Sequence, residues 1–274
     1  MHQDRRDGDA ALERPYMFGR HEPLARALGA VVPVHEFIRS WSNKSFARDD
    51  AQVAIVLVGA AGSGVGFHRH AAAIQATLYG RKRWLLYPPD GNPPGGMKGD
   101  WPVYDWLTVV YPNLSADRAP LECIQEPGDV LYIPEGWYHA VLNLADSVAL
   151  SAQHDGFSNK SMKATNKFRE ANDTKHRVGY ARMAAKLLPS NIESKIDLFE
   201  ALRDAEKVEE AFGIISDVAQ ADPLFVHGQK AVFEMMRKFG AKDILPALRE
   251  FKPHLERCPR NLFANMLLWR TSTC

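Results

Sequence analysis

Apolar positions in the first half of the chain come in short runs or alternate. In the second half they recur every third or fourth residue. Gln52-Val-Ala-Ile-Val-Leu-Val58 holds the longest apolar run, Val53 to Val58, and reads as a strand. Gly59-Ala-Ala-Gly-Ser-Gly-Val-Gly66 is a turn-rich connector. Further strands are expected at Phe67–His70, Ile74–Tyr79, Arg83–Tyr87, Leu121–Gln125, Val130–Ile133, Tyr138–Leu142 and Ser147–Ala152. Pro88-Pro89 ends one of them, and Glu126-Pro-Gly-Asp129 places Pro and Gly at the two central positions of a turn. Short strands at a spacing of roughly 8–12 residues, punctuated by Gly and Pro, predict a sandwich or closed barrel, and a jelly roll fits.

Around this pattern lie weaker signals. Residues 1–14 are charged and are expected to be disordered. Leu24–Leu28 reads as a short helix stopped by Gly29, Val31–Val34 as a strand interrupted by Pro33, and Ser40–Ser45 as loop. Asp90–Asp100 is rich in Gly and Pro and must be loop, and Trp101–Tyr111 suits a short helix ending before Pro112. After about residue 157 amphipathic helices take over, with Phe168, Val178, Tyr180, Met183 and Leu187 near helical spacing. Leu188-Pro189, Asp222-Pro223 and Cys258-Pro259 lie 34 and 36 residues apart, a period that predicts tetratricopeptide-like helix pairs. The expected organisation is a disordered segment at 1–14, a β-barrel domain at 15–157 and an α-helical region at 158–274.

Composition narrows the function classes. The chain has 274 residues, 46% hydrophobic and 24% charged, with a formal net charge of +1. That length buries a real core, and the near-neutral balance offers no surface for nucleic acid or an anionic membrane. No run approaches the roughly 18 apolar residues of a membrane span. Cys123, Cys258 and Cys274 form no C-x-x-C pair, so free thiols are expected, with a single disulfide left open. Met1–Asp9 is polar and is no signal peptide as written, which makes the cytoplasm the default compartment. Against this, Asn43, Asn113, Asn159 and Asn172, four of ten asparagines, stand in N-x-S/T sequons, where chance puts about one. The sequons point toward a secretory ancestry, as for a chain whose true N-terminus lies upstream.

The chemistry gathers at Gly64-Val-Gly-Phe-His68-Arg-His70 and at Pro127-Gly-Asp-Val-Leu-Tyr-Ile-Pro134-Glu-Gly-Trp-Tyr-His139. Ala71–Leu78 looks helical by propensity, yet residues i and i+2 share a face only on a strand. A strand therefore lets His68 and His70 meet a distant His139 at one metal, leaving positions open. Lys82, in Tyr79-Gly-Arg-Lys-Arg-Trp84, is a candidate point-charge partner for a carboxylate. Strand alternation turns its neighbours Arg81 and Arg83 the other way, toward solvent. Trp84, Tyr87, Trp137 and Tyr138 are expected in the core and His154 at the surface.

Taken together in this order, Gly64–His70, Tyr79–Pro89 and Pro127–Asn143, with Tyr16-Met-Phe-Gly19 and Leu121-Glu-Cys123, resemble the jumonji-C (JmjC) domain of the cupin superfamily. The resemblance covers residues 15 to about 157. It implies a double-stranded β-helix that holds Fe(II) and uses 2-oxoglutarate as cosubstrate to hydroxylate a C–H bond. It places His68 and His139 as first and last metal ligands and Lys82 on the distal carboxylate of 2-oxoglutarate. Ser151 stands where relatives place a hydroxyl for the same carboxylate, and Asn143 and Gln75 align with polar groups lining the pocket. It also implies the endoplasmic reticulum lumen, if the N-terminus is truncated.

His70 departs from the pattern, standing where the family has a carboxylate. Three neutral imidazoles suit Zn or Cu well and Fe(II) less characteristically. Three readings follow: a JmjC oxygenase acting on a protein side chain, a degenerate JmjC barrel serving as a scaffold for a protein partner, or a small-molecule cupin enzyme. Histone lysine demethylation is disfavoured, because the chain carries no basic or reader-like module. Oligomeric state is left open.

Overall fold

The computed structural model describes residues 15–20, 23–24, 27, 55–97, 101–153, 157–222 and 224–239. The segments expected at 1–14, 31–34 and 40–45, most of the helix expected at 24–28, and His154, Cys258 and Cys274 lie outside them.

Nine strands are described: β1 Tyr16–Arg20, β2 Ile55–Gly59, β3 Gly64–His68, β4 Ala73–Tyr79, β5 Lys82–Tyr87, β6 Leu121–Gln125, β7 Val130–Ile133, β8 Tyr138–Asn143 and β9 Ser147–Gln153. They form two antiparallel sheets, ordered β1-β2-β9-β4-β7 and β3-β8-β5-β6. From β2 to β5, and again from β6 to β9, the chain alternates between the sheets. This is the winding of the expected double-stranded β-helix, with β1 added at one edge. The alanine-rich stretch after His70 is a strand, because β4 lies between β7 and β9 with Ile74 and Ala76 almost fully buried. Tertiary pairing overrides helix propensity here.

Directly opposed residues of paired strands share a face. On the smaller sheet Lys82, Trp84 and Leu86 of β5 oppose Asn143, Val141 and His139 of β8, and His139 opposes His68 of β3. This face packs Trp84 and Val141 against Ile133 of the larger sheet. On the larger sheet Gln75 opposes Ser151, Thr77 opposes Ala149 and Gly59 opposes Ser147. The polar residues singled out from the sequence thus fall on facing surfaces of the two sheets. Gly64 keeps β3 close to β8, since a Cβ there would stand 2.0 Å from the Val141 carbonyl oxygen.

The chain divides into two compact units. One comprises Met1–Pro89, Pro102–Tyr104 and Pro120–Met162; the other comprises Asp90–Trp101, Asp105–Ala119 and Lys163–Cys274. The stretch expected to be one helix at Trp101–Tyr111 is a helical turn at Val103–Asp105, a wider turn at Trp106–Val110 and a 3-10 turn at Tyr111–Asn113.

The helices are α1 Lys160–Glu170, α2 Thr174–Leu187, α3 Ile192–Asp204, α4 Val208–Ala221 and α5 Val226–Phe239. Asp173 and Asn191 cap α2 and α3 by accepting from the third backbone N–H beyond. Phe168, Ile196, Phe199, Leu202, Ile215 and Phe225 centre the second unit's core. Part of the Gly/Pro-rich loop belongs to the same unit. Asn92 receives the Ile192 N–H and donates to Ser190, and the buried Asp222 carboxylate accepts from the Gly95 N–H at 2.9 Å.

Candidate metal centre

Three elements converge on one point. His68 is the last residue of β3, His139 the second of β8, and His70 lies in the connection after β3. The expected strand to His70 therefore stops at His68. His70 still turns inward, where its backbone carbonyl accepts the Gly136 N–H at 3.0 Å. Ring centroids stand 4.2 Å apart for His68 and His139, 4.6 Å for His70 and His139, and 5.5 Å for His68 and His70. One ring nitrogen from each lies within 4.8 Å of the other two.

The tautomers follow from the hydrogen bonds. His68 Nδ1 meets the Gly66 carbonyl at 2.9 Å, His70 Nδ1 the Ala71 carbonyl at 2.6 Å and His139 Nδ1 the Trp137 carbonyl at 3.1 Å. A carbonyl only accepts, so each Nδ1 carries the proton and each neutral ring presents an Nε2 lone pair. Burial holds the rings neutral. It lowers the His68 pKa, lowers that of His70 to about 4 and puts His139 well below 6.5, with repulsion among the three adding for His70 and His139. Three neutral nitrogen donors with backbone-fixed orientation are what a divalent transition metal requires.

Deeper along the same face is a fully buried cation. Lys82 is 0% exposed, and its Nζ donates to Asn143 Oδ1 at 2.7 Å and Ser147 Oγ at 3.1 Å. Both partners are neutral, and among the described residues no carboxylate pairs with it. Burial lowers its pKa from 10.5 to about 8. Asn143 is held in turn by Ser63, which accepts from its Nδ2 at 2.9 Å, and by Ser147, which donates to its Oδ1 at 2.8 Å. Gly59 leaves this network room, because a Cβ there would sit 2.2 Å from Asn143 Nδ2. The Tyr16 ring centroid lies 6.0 Å from Nζ. Across the sheets, Gln75 Nε2 and Thr77 Oγ1 are buried without a hydrogen-bond partner. An unneutralised ammonium and two orphaned polar groups fit a site for a small anion with several oxygens.

The structure brings His68, His70 and His139 together and places Lys82 beside Asn143. The hydroxyl on Lys82 is that of Ser147, four residues before Ser151 on β9, whereas Ser151 donates to the Ile74 carbonyl at 3.1 Å. Sequence reasoning also missed Thr77, Ser63 and Gln125. The Gln125 Nε2 donates to the backbone carbonyls of Gln75 (2.8 Å) and Asp129 (3.0 Å), and its Oε1 accepts from Trp84 Nε1 at 2.9 Å. Trp84 lies 6.1 Å from His139, ring to ring. Alternation along β4 would have placed Thr77 on the face of Gln75, while Gln125 comes opposite Lys82 through the pairing of β5 with β6. Arg83 points outward as expected, paired with Glu122 at 2.6 Å.

A model of the cupin-like domain matches residues 4–160, more than half of the chain. JmjC domain-containing protein 8 of Mus musculus is 45% identical over 94 residues, 34% of this chain and 34% of that protein. The 2-oxoglutarate and iron-dependent oxygenase JMJD4 of Gallus gallus is 34% identical over 134 residues, 43% of this chain and 30% of that protein. The bifunctional arginine demethylase and lysyl-hydroxylase psr-1 of Caenorhabditis briggsae is 32% identical over 118 residues, 38% of this chain and 30% of that protein. The matches span about a third of the length of these relatives. On the extent of the domain match, with the two-sheet topology and the order of the motifs, the chain belongs to the cupin-like JmjC domain family.

Proposed function

We propose that this protein is a 2-oxoglutarate-dependent oxygenase that hydroxylates a protein side chain, with Fe(II) held by His68, His70 and His139. The observation that carries this reading is the three Nδ1–carbonyl bonds, which leave three Nε2 lone pairs at one end of a face whose buried Lys82 lacks an anion. Relatives named as an iron and 2-oxoglutarate-dependent oxygenase and as a lysyl-hydroxylase support the reaction class and the protein substrate.

Fe(II) held by His68, His70 and His139 would supply, with 2-oxoglutarate and O2, hydroxylation of a C–H bond: one oxygen atom enters that bond and the other enters succinate as carbon dioxide leaves the cosubstrate. The chain's own residues bind and orient. Lys82 takes the distal carboxylate, and burial makes that pairing strong. Asn143 and Ser147 hold Nζ in place, while Gln75, Thr77 and Ser151 supply polar groups from the opposite sheet. Three imidazoles leave the metal's double charge uncompensated, so a dianionic cosubstrate suits His70 as well as it suits a carboxylate ligand. Trp84, Val141 and Ile133 exclude water from the interior. In the same reading α3 with α4 begins a tetratricopeptide-like array for a protein partner, since α3 and α5 start 34 residues apart, as do Pro189 and Pro223.

The test is anaerobic loading with Fe(II), then oxygen and 2-oxoglutarate. Conversion to succinate that His68→Ala abolishes is expected. Failure of the purified protein to bind any divalent metal would refute the reading.

A further inference from the structure

The four sequons are left unexplained by the barrel chemistry, and the structure sorts the asparagines in an informative way. Among the described residues Asn113, Asn159 and Asn172 stand in sequons and all three are exposed. Asn92, Asn143, Asn166 and Asn191 stand outside sequons, and each is buried or half-buried. Enrichment in the sequence and exposure in the fold are independent observations, and they select the same residues.

Each site has room at the reacting atom. Asn172 lies between α1 and α2, exposed together with Thr174 two residues on. Asn113 ends a 3-10 turn, and its Nδ2 donates one bond, to the Val109 carbonyl at 2.8 Å. A substituted amide keeps one N–H for that bond. Asn159 opens α1 through Oδ1, which accepts from Ser161 N at 2.8 Å and leaves Nδ2 outside the cap.

We propose that this chain is an N-linked glycoprotein carrying glycans on Asn113, Asn159 and Asn172, and so matures in a compartment that performs oligosaccharyl transfer. The donor class is a lipid-linked oligosaccharyl pyrophosphate. The sugar C1–O bond to pyrophosphate breaks and a C1–Nδ2 bond forms. Nδ2 loses one proton, the lipid pyrophosphate leaves, and nothing is oxidised or reduced. Asn159 has a further consequence for access. Its backbone N–H donates to Glu135 Oε1 at 2.9 Å, and the next residue, Gly136, donates to the His70 carbonyl. The Asn159 glycan therefore borders the histidine end of the barrel.

The test uses the native protein from the cells that make it. It is denatured, treated with peptide-N-glycosidase in heavy-oxygen water, and digested for mass spectrometry. The expected result is a gain in electrophoretic mobility, with heavy-oxygen aspartate at the three positions. Asn113→Gln, Asn159→Gln and Asn172→Gln should each remove one step of the mobility ladder, and Ser161→Ala, which breaks the Asn159 sequon but keeps the α1 cap that Asn159→Gln removes, should remove the same step as Asn159→Gln. Conversion at two or more positions supports the proposal. Conversion at one or none overturns it.

Discussion

Lys82→Met should stabilise the protein while destroying its capacity for 2-oxoglutarate. Nζ is fully buried against two neutral oxygens, and burial lowers its pKa from 10.5 to about 8. At about 1.4 kcal/mol per pKa unit, the charged side chain costs the metal-free, cosubstrate-free fold about 3 kcal/mol at neutral pH. Methionine matches the length of the lysine stem, and removing Nζ strands no acceptor, because Ser147 still donates to Asn143 Oδ1. Losing the two Nζ hydrogen bonds offsets part of the gain. A net gain of about 2 kcal/mol raises Tm by about 4–8 °C for a chain of this size. The assay is thermal unfolding of chelator-treated protein by circular dichroism, beside 2-oxoglutarate titration by calorimetry. The sign of the pH dependence is fixed. The unfolded lysine keeps its proton to 10.5 and the folded one releases it near 8, so wild-type stability rises with pH across that window. The Tm gap to Lys82→Met should therefore narrow from pH 8 to 10.5. An unchanged or lower Tm for the variant at pH 7 would refute the claim that Lys82 lacks an anion.

Three other perturbations test the supporting structure. Gln125→Leu leaves Trp84 Nε1 and the Gln75 and Asp129 carbonyls without their amide partner; a loss of about 2–4 kcal/mol and a shift in tryptophan emission are expected in denaturant titration. Gly59→Ala drives a Cβ into Asn143 Nδ2; about 1–3 kcal/mol of destabilisation and weaker 2-oxoglutarate binding are expected by melting and calorimetry. Glu135→Ala removes the carboxylate that accepts from the Ser158 and Asn159 N–H groups; about 1 kcal/mol of local stability should be lost, read as faster amide exchange at 158–162.

The sequence made the barrel legible because its strands are short, apolar and separated by Gly or Pro, so the period is locally encoded. Tyr138–Asn143 and Ser147–Gln153 were expected to within a residue. What sequence reasoning missed depends on pairing between distant strands. Ser147 meets Lys82 across 65 residues and Gln125 meets Gln75 across 50, and no local pattern encodes those distances. His70 was placed on a strand because i and i+2 converge most simply there. The strand ends at His68, and the bond from Gly136 to the His70 carbonyl fixes the connection beyond it. The family resemblance supplied the roles of the metal ligands and of Lys82, Ser151, Asn143 and Gln75, while strand alternation spoke only to Arg81 and Arg83, turned away from Lys82.

The central claim is that His68, His70 and His139 hold one metal. Crystals grown anaerobically with Fe(II), measured on either side of the iron absorption edge, test it most directly. One iron anomalous peak bonded to the Nε2 atoms of all three histidines is expected, absent from His139→Ala. No peak at that point, or a peak that leaves His70 unbound, would contradict it.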